Sequence, residues 1–321
     1  SSDVCSSDLR KVEMEQYCSL SVRDLNKRFG RFSSDVWALR DVSFSLPKGT
    51  LTGVLGHNGA GKTTLLGSLC GSVKPTSGTI LFSGREISHA AELRRLCAYM
   101  PQPHVPLRGV TPVEALCCAA GMRGISRRRA VRLTNDFLGR LDIEQYSHVA
   151  GENLSGGCRR LVSLGMALVQ EASVILLDEP TNDVDPIRRS RVWKILRQEA
   201  DQGKTILVVT HNLDEIGSVA DNLLIFDCGR LVCNASPRQL TSIDELIRIE
   251  VNTADPSLVL TELAATPVLA EDGRLRYVCS SEQAKMLLSR LNMLMGDEPE
   301  LSFSVQHGTL REAYERIIDV R

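Results

Sequence analysis

A glycine-rich loop in the first quarter of the chain combines the residue types that bind a polyphosphate. Residues 56–63 read GHNGAGKT and fit the pattern GxxxxGK followed by Ser or Thr. In this pattern the glycines let backbone N–H groups turn toward phosphate oxygens, Lys62 reaches the β- and γ-phosphates, and the Thr63 hydroxyl is a ligand for Mg²⁺. The loop predicts a site for a nucleoside triphosphate and Mg²⁺, with these binding residues: Gly56, Asn58, Gly59, Ala60, Gly61, Lys62, Thr63 and Thr64.

Two carboxylates follow an apolar run later in the chain. The run from Val174 to Leu177 has the composition of a buried parallel strand, and Asp178 and Glu179 come directly after it. In α/β proteins, ligands bind at the carboxyl ends of such strands. We expect Asp178 to hold Mg²⁺, directly or through water, and Glu179 to orient and deprotonate an attacking water. A strand end with two acids is more often only solvated, so the catalytic interpretation depends on the glycine loop.

A second phosphate-binding pattern lies 23 residues before Asp178. Ser155, Gly156 and Gly157 precede a predicted helix through residues 161–168, and backbone N–H groups at a helix start bind anions. A serine N-cap followed by two flexible glycines is the alternative for this segment taken alone. A nucleotide bound to the glycine loop cannot also contact the segment Ser155–Gly157 of the same chain.

The segment from Leu154 to Cys158 resembles the LSGGQ signature of the ATP-binding cassette (ABC) family. The resemblance extends over about Val12 to Leu240 and implies that the nucleotide is ATP. It also implies a second ABC ATPase subunit, identical or different, because in the family the signature of one protomer closes over the nucleotide of the other. Cys158 stands where the family normally has Gln. With the serine and both glycines intact we expect binding to persist, and the departure bears on the hydrolysis rate or the symmetry of the closed dimer.

Three further residues match motifs of the family in the same order along the chain. Gln102 resembles the Q-loop glutamine, which contacts Mg²⁺ and the attacking water. Asp185 occupies the acidic position of the D-loop, and His211 is similar to the switch histidine that contacts the γ-phosphate. The resemblance therefore implies catalytic roles for Glu179, His211 and Gln102, nucleotide contacts from Ser155, Gly156, Gly157 and Asp185, and Mg²⁺ ligands at Thr63, Gln102 and Asp178.

An aromatic residue is expected to stack on the adenine. Phe29 is placed like the A-loop aromatic of the family, and Phe32 and Trp37 are its rivals. Stacking of a base on an aromatic ring tolerates any sequence context and contributes about 1–3 kcal/mol.

These residues require a parallel sheet whose strands alternate with helices. The chain predicts strands at Leu51–Leu55, Val174–Leu177 and Ile206–Val209, with helices from Lys62 to about Cys70 and from Pro186 to about Gln202. The fold class is thus an α/β P-loop NTPase. The resemblance adds an antiparallel β subdomain, which fits the β-rich runs over 20–25 and 42–46, and a helical subdomain at about 103–152, where strand signals vanish.

A change in charge divides the chain near residue 240. Residues 241–321 hold 8 Lys and Arg against 14 Asp and Glu, a net charge of −6, whereas residues 1–240 carry +5. We predict a nucleotide-binding domain over 11–240 and a small C-terminal α+β domain over 241–321. That domain has strands near 246–251, 268–270, 274–279 and 301–305, and helices over 256–264, 282–291 and 310–318. Residues 1–10 are expected to be a sequence-assembly artefact or a disordered leader.

Overall composition excludes several classes of protein. The chain of 321 residues has 43% hydrophobic and 24% charged residues, which is typical of soluble globular proteins and not of disordered or collagenous chains. The net charge of −1 and basic clusters without interleaved aromatics argue against a nucleic-acid partner. The ten cysteines lack zinc-finger spacing and are expected to be reduced thiols. No run approaches the roughly 20 apolar residues of a membrane-spanning helix.

The sequence predicts the ATPase subunit of a membrane transporter. The D-loop residues Asn182–Pro186 and the C-terminal segment Gly308–Tyr314 look like the ABC-2 type exporter ATPases. That resemblance implies ATP-driven dimer closure, a separate transmembrane permease subunit, and a location at the cytoplasmic face of the cell membrane. One alternative is an ABC ATPase that acts on the ribosome or DNA, although the paired cassettes or coiled coils of such proteins are not seen. A non-catalytic regulatory cassette is disfavoured because Lys62, Asp178, Glu179 and His211 are all present.

Overall fold

The structure is a computed structural model, and it forms two compact units. The first unit ends at Ala235 and the second begins at Ser236, whereas the sequence placed this boundary at residue 240. The segment 1–10, interpreted above as an artefact or leader, lies outside the described residues. No helix among the described residues is both long and apolar enough to cross a membrane. The described residues are 18–30, 36–103, 105–243, 247–253, 256–257, 259, 267, 269–271, 274–297, 300–307 and 309–319.

One sheet of the first unit is antiparallel. It contains β1 (Cys18–Phe29), β2 (Val36–Pro47), β4 (Ser77–Phe82) and β5 (Arg85–Glu86) in the spatial order β2-β1-β4-β5. Alternate residues of β2 are buried from Val42 onward, as expected for a strand with one face on the core. The antiparallel β subdomain implied by the sequence is therefore present.

The second sheet of this unit contains six strands in the order β10-β9-β3-β8-β7-β6. Its strands β3, β7 and β8 are buried at every residue, because helices cover both faces of a parallel sheet. The edge strand β10 alone pairs antiparallel, with β9. The bounds are β3 (Leu51–Leu55), β6 (Cys97–Met100), β7 (Val174–Asp178), β8 (Thr205–Val209), β9 (Asn222–Asp227) and β10 (Arg230–Ala235).

Seven α-helices are described in the first unit, and two of them lie in the helical segment expected at about 103–152. Between residues 101 and 152, apart from residue 104, which is not described, the structure has helices and turns and no strand. Thr111 and Glu114 form a capping box that starts the first helix of this segment. The helices are α1 (Lys62–Leu69), α2 (Ala90–Leu96), α3 (Pro112–Gly121), α4 (Arg127–Leu141), α5 (Gly156–Leu168), α6 (Pro186–Asp201) and α7 (Leu213–Val219).

The second unit is an α+β structure, as the charge shift and residue pattern predicted. Its sheet has the order β12-β13-β11-β14, with all three pairings antiparallel. Tyr277, Ile249 and Leu291 lie in its core. The helix predicted over 256–264 lies largely outside the described residues. The elements are α8 (Pro237–Ile243), β11 (Ile247–Asn252), β12 (Leu269–Glu271), β13 (Arg274–Cys279), α9 (Ser281–Asp297), β14 (Ser302–His307) and α10 (Leu310–Asp319).

Packing of the helical segment on α5 predicts opposite effects for two glycine substitutions. A Cβ at Gly165 in α5 would lie 2.4 Å from the Phe137 ring and 3.0 Å from Leu116, whereas a Cβ at Gly121 would meet nothing within 4 Å. We expect Gly165→Ala to lower the free energy of unfolding by about 1–3 kcal/mol through overpacking. Gly121→Ala should raise it by about 0.4–1 kcal/mol, since alanine restricts the unfolded chain. Urea unfolding of both variants measures the difference; equal effects would contradict the packing described.

Candidate active site

Four neighbouring strands of the six-stranded sheet end at one edge. In the parallel register Val54 of β3 and Asp178 of β7 both pair with Val209 of β8, and Met100 of β6 pairs with Leu177. The segments after these strands therefore emerge side by side. These are the glycine loop after β3, Glu179 after β7, His211 after β8 and Gln102 after β6.

A cavity of about 470 Å³ opens at this edge, and we refer to it as the P-loop cavity. It gathers nine residues that the sequence singled out for nucleotide or Mg²⁺ chemistry, together with three residues from the start of β2. Gly56 and Ala60 belong to the same loop without lining the cavity. The lining is Val36, Trp37, Ala38, Asn58, Gly59, Gly61, Lys62, Thr63, Thr64, Gln102, Asp178, Glu179 and Val209.

The glycine loop wraps around the lysine side chain. Lys62 Nζ donates to the carbonyl oxygens of Gly56 at 2.6 Å and His57 at 2.9 Å. Gly61 has a φ of +102°, and a Cβ there would lie 2.3 Å from the Ala38 carbonyl oxygen, so the loop needs glycine at this position. Burial lowers the pKa of Lys62, and the negative charges of Glu179 and Asp178 oppose that shift. Phosphate oxygens in the cavity would give this half-buried cation additional anionic partners.

Asp178 and Thr63 present a set of oxygen atoms suited to Mg²⁺. The Thr63 hydroxyl donates to Asp178 Oδ2 at 2.9 Å, and Gln102 lines the same cavity. Asp178 is almost fully buried, and this burial raises the pKa of its carboxyl, against the opposing effects of the Thr63 hydrogen bond and the Lys62 and Arg160 charges. A buried carboxylate whose negative charge is incompletely compensated favours the binding of a cation. Hydroxyl, amide and carboxylate oxygens are the ligands that Mg²⁺ prefers. The residues present fit the metal.

Glu179 is held beside the cavity by its backbone and by a histidine. Its N–H donates to the Val209 carbonyl oxygen at 2.9 Å, and its φ of +53° is in the left-handed region that non-glycine residues rarely occupy. His211 Nδ1 lies 3.0 Å from Glu179 Oε1. Because a carboxylate only accepts, this nitrogen carries the proton. The arrangement fixes the direction of a carboxylate that can accept a proton from water.

The signature and D-loop residues do not line the P-loop cavity. Ser155 caps α5, where its Oγ accepts from the Cys158 N–H at 3.2 Å. A Cβ at Gly157 would lie 2.5 Å from the Asp183 carbonyl oxygen, so the signature packs directly on the D-loop. Asp185 caps α6 by accepting from the Arg188 N–H at 3.0 Å. The phosphate-binding features of this segment therefore lie outside the cavity of the chain's own glycine loop.

Of the three candidate aromatics, Trp37 lines the P-loop cavity and Phe29 does not. Phe29 is 45% exposed, and its ring lies 4.6 Å from Lys27 Nζ. Phe32 lies outside the described residues. The cavity lining thus favours Trp37, which the sequence analysis named with Phe32 as a rival of Phe29.

Sequence reasoning missed Glu215, which connects the two sides of the site. Glu215 in α7 accepts hydrogen bonds from Trp193 Nε1 at 2.7 Å, Arg189 at 2.9 Å and the Thr181 hydroxyl at 3.4 Å. Thr181 follows Glu179 by two residues, and α7 begins two residues after His211. The network ties the turn that carries Glu179 to the helix that follows His211. No short motif marks Glu215, because its partners lie 22–34 residues away.

Arg160 is a second residue that the sequence did not single out. It is 3% exposed in α5, donates to the Pro101 carbonyl oxygen at 3.4 Å, and lies in the electrostatic field of Asp178, Glu179 and Asp183. In the sequence it reads as one more basic residue of a helix, so only tertiary packing reveals it beside the acids.

Comparison with known proteins places this geometry in a family. Residues 39–182 match the family model described as ABC transporter. This is an ABC transporter ATPase domain. The chain is 36% identical over 219 residues to the human phospholipid-transporting ATPase ABCA3 and 33% identical over 221 residues to the mouse ABC-type organic anion transporter ABCA8B. Each match covers 68% of this chain, which spans about 13–14% of the length of those relatives.

Solved structures agree on the fold. An ATP-binding subunit of an ABC transporter superposes with a TM-score of 0.63 at 27% identity, over 70% of this chain and 92% of that one. A dimeric ATP-binding cassette bound to ADP and Pi in a post-hydrolysis state gives 0.62 at 21% identity, over 68% of this chain and 99% of that one, and supports the fold alone. The first unit therefore has the ABC ATPase fold.

The raised pKa of Asp178 predicts that its charge destabilises the nucleotide-free protein. Asp178→Asn keeps an oxygen that accepts from Thr63 and removes the buried charge, so we expect a higher melting temperature, by about 2–4 °C for each kcal/mol gained. Because the folded-state pKa exceeds the ordinary value of about 3.9, the gain is absent below that pH and grows as the pH rises through the folded-state pKa. Differential scanning calorimetry from pH 4.5 to 8 measures it.

Asp185→Asn is the matched control for that experiment. The Arg188 backbone N–H lowers the pKa of Asp185, so ionised Asp185 stabilises the folded state above its ordinary pKa. Removing that charge should slightly lower the melting temperature at neutral pH. A lower melting temperature for both variants would contradict the role of Asp178 as an uncompensated buried charge.

Proposed function

We propose that this chain hydrolyses ATP to energise an ABC-2 type membrane transporter that works as an exporter. The observation that carries the proposal is the convergence of Lys62, Thr63, Asp178 and Glu179 on one cavity, with Glu179 oriented by His211. A regulatory cassette that only binds nucleotide would not require an oriented carboxylate beside the phosphate-binding loop.

Substrate binding would use the loop and its lysine. ATP phosphates would replace the carbonyl oxygens of Gly56 and His57 as partners of Lys62, while the N-terminus of α1 adds the positive end of its dipole. Thr63, Asp178 and Gln102 would hold Mg²⁺, which neutralises charge on the phosphate oxygens. The loop is thus built to bind a polyphosphate and not a single carboxylate.

Hydrolysis would depend on proton transfer from water to Glu179. The carboxylate accepts the proton as the water oxygen bonds to the γ-phosphorus and the bond to the β-phosphate oxygen breaks, with ADP as the leaving group. His211 keeps one carboxylate oxygen occupied, so the other is free for water. The His211 side chain is 73% exposed, so Nε2 is accessible and would donate to the γ-phosphate when the ring carries both protons.

A second ABC ATPase subunit, a copy of this chain or a related one, would complete the site. Ser155, Gly156 and Gly157 start a helix outside the chain's own P-loop cavity, and the D-loop backbone at Asp183 packs against Gly157. Head-to-tail pairing brings these residues to the partner's P-loop cavity. Closure around two ATP molecules then supplies the mechanical step.

The force of closure would act on a membrane-spanning permease on a separate chain, at the cytoplasmic face of the membrane. Coupling to transport is supported by ABCA3, which is named a phospholipid-transporting ATPase. A separate permease chain is supported by cbiO1 from Clostridium perfringens, with 27% identity and a TM-score of 0.60, which is described as part of the transporter complex cbiONQ. The assignment to the ABC-2 subtype rests on the sequence of the D-loop and on the second unit.

Replacing Glu179 tests the proposed hydrolysis. Glu179→Gln keeps the shape and loses the proton acceptor, so we expect ATP affinity within about threefold of wild type and turnover reduced by at least about 100-fold. Phosphate release and fluorescent-nucleotide binding by the purified chain measure the two quantities. Glu86→Gln, an exposed acid on β5, should leave both unchanged. Wild-type turnover in Glu179→Gln would remove Glu179 as the base.

Two aromatic variants test which ring stacks on the adenine. Loss of stacking corresponds to about 1–3 kcal/mol, so Trp37→Ala should weaken ATP binding by about 5- to 150-fold. Phe29→Ala serves as the matched variant and should have a smaller effect, because Phe29 does not line the cavity. ATP should also quench Trp37 fluorescence. The reverse order of effects would assign stacking to Phe29.

A further inference from the structure

Three metal-ligating side chains meet on the far side of the glycine loop, outside the P-loop cavity. His57 belongs to the loop, while Asp227 ends β9 and Cys228 begins the turn to β10. One ligand atom from each residue lies within 4.8 Å of the other two. His57 Nε2 and Asp227 Oδ1 are 3.0 Å apart. None of the chemistry proposed above uses these side chains.

The hydrogen bonds of His57 set its tautomer. Its Nδ1 lies 2.7 Å from the carbonyl oxygen of Asn58, and a carbonyl only accepts, so Nδ1 carries a proton. In the neutral ring Nε2 then presents a lone pair to the carboxylate of Asp227. Two lone pairs at that distance repel unless a cation lies between them or Nε2 is protonated. A histidine that donates to a backbone carbonyl through one nitrogen and faces a carboxylate with the other has the arrangement of a metal ligand.

Cys228 occupies a turn position that does not favour cysteine. Cys228 and Gly229 have φ values of +44° and +79°, as in a tight hairpin turn of the I′ type, where Asn, Asp and Gly are the common residues. Its side chain is exposed, so core packing does not explain it. The turn places a thiol next to Asp227 and opposite His57, at the cost of a strained backbone for a residue with a side chain.

We propose that His57, Asp227 and Cys228 form a Zn²⁺ site. Imidazole, thiolate and carboxylate together suit Zn²⁺, whereas Mg²⁺ and Ca²⁺ prefer oxygen ligands. Zn²⁺ bonds of about 2.0–2.3 Å place tetrahedral ligand atoms roughly 3.3–3.8 Å apart, so small side-chain rotations close the present spacing. Binding displaces the thiol proton of Cys228 to solvent, and the thiolate and carboxylate balance the charge of the metal. Water fills the fourth position.

Zn²⁺ at this position would fasten the glycine loop to the β9–β10 hairpin. The two segments are already in contact, since the Gly229 N–H donates to the Ala60 carbonyl oxygen at 3.2 Å. A Cβ at Gly56 would lie 2.4 Å from the Phe226 carbonyl oxygen, which shows how closely the loop follows the hairpin. The His57 carbonyl also accepts from Lys62 Nζ, so the metal site adjoins the nucleotide site without sharing its ligands.

Titration of the reduced chain of 321 residues tests the site. Zn²⁺ competed against a chromophoric chelator should bind in one equivalent per chain, and millimolar Mg²⁺ should not displace it. Co²⁺ should give thiolate-to-cobalt charge-transfer absorption, which reports a cysteine ligand. Cys228→Ser should abolish that absorption and weaken Zn²⁺ binding by at least tenfold, and Asp227→Asn should weaken it while keeping the thiolate band.

Cys118→Ser is the matched control, because Cys118 is also exposed and lies on α3. It should bind Zn²⁺ like wild type, and circular dichroism checks that all variants are folded. Equal Zn²⁺ affinity in wild type and Cys228→Ser, or no stoichiometric binding to wild type, would overturn the proposal and leave a protonated His57 paired with Asp227. These measurements need no ATP, so their outcome is separate from that of the hydrolysis experiments.

Discussion

Parallel pairing of β3, β8, β7 and β6 is the constraint on which the site depends. Because the strands run in the same direction and their registers align, the segments that follow them emerge at one edge. The chain can thus bring together residues that are more than 100 positions apart, such as Thr63 and Asp178. Burial on both faces fixes the register, since a shift would move apolar side chains out of contact with the covering helices.

The same edge brings the buried carboxylates Asp178 and Glu179 close to the half-buried Lys62. Burial raises the pKa of the Asp178 carboxyl, and Lys62 Nζ donates to the carbonyl oxygens of Gly56 and His57. Buried charges of opposite sign, including Arg160, reduce the penalty without removing it. A binding site often lowers the stability of the ligand-free protein, and the bound ligand restores that stability. A bound ligand would therefore supply the compensating charges that the cavity itself lacks.

Contacts between the signature and the D-loop link the cavity to the surface that a partner subunit would use. Gly157 packs on the Asp183 backbone, and Asp183 lies four residues after Glu179. Glu215, in the helix after His211, accepts one hydrogen bond from Thr181 of the same turn and two from Arg189 and Trp193 of α6. A shift at either end would have to be transmitted through close backbone contacts and buried hydrogen bonds. This arrangement gives the two faces of the domain a direct physical connection.

The amino-acid sequence alone determined the fold class, the helical segment and the composition of the phosphate-binding loop, because these depend on local residue order and periodicity. It also singled out Asp178 and Glu179 at the end of a predicted strand, and His211 and Gln102 through the family resemblance. Only the tertiary structure decided that Trp37 lines the cavity instead of Phe29, that Asp185 caps a helix, and that Glu215 and His57 meet their partners. Those contacts join segments from different strands and helices, and the free energy that brings them together comes from burial of the sheet, which no local pattern encodes.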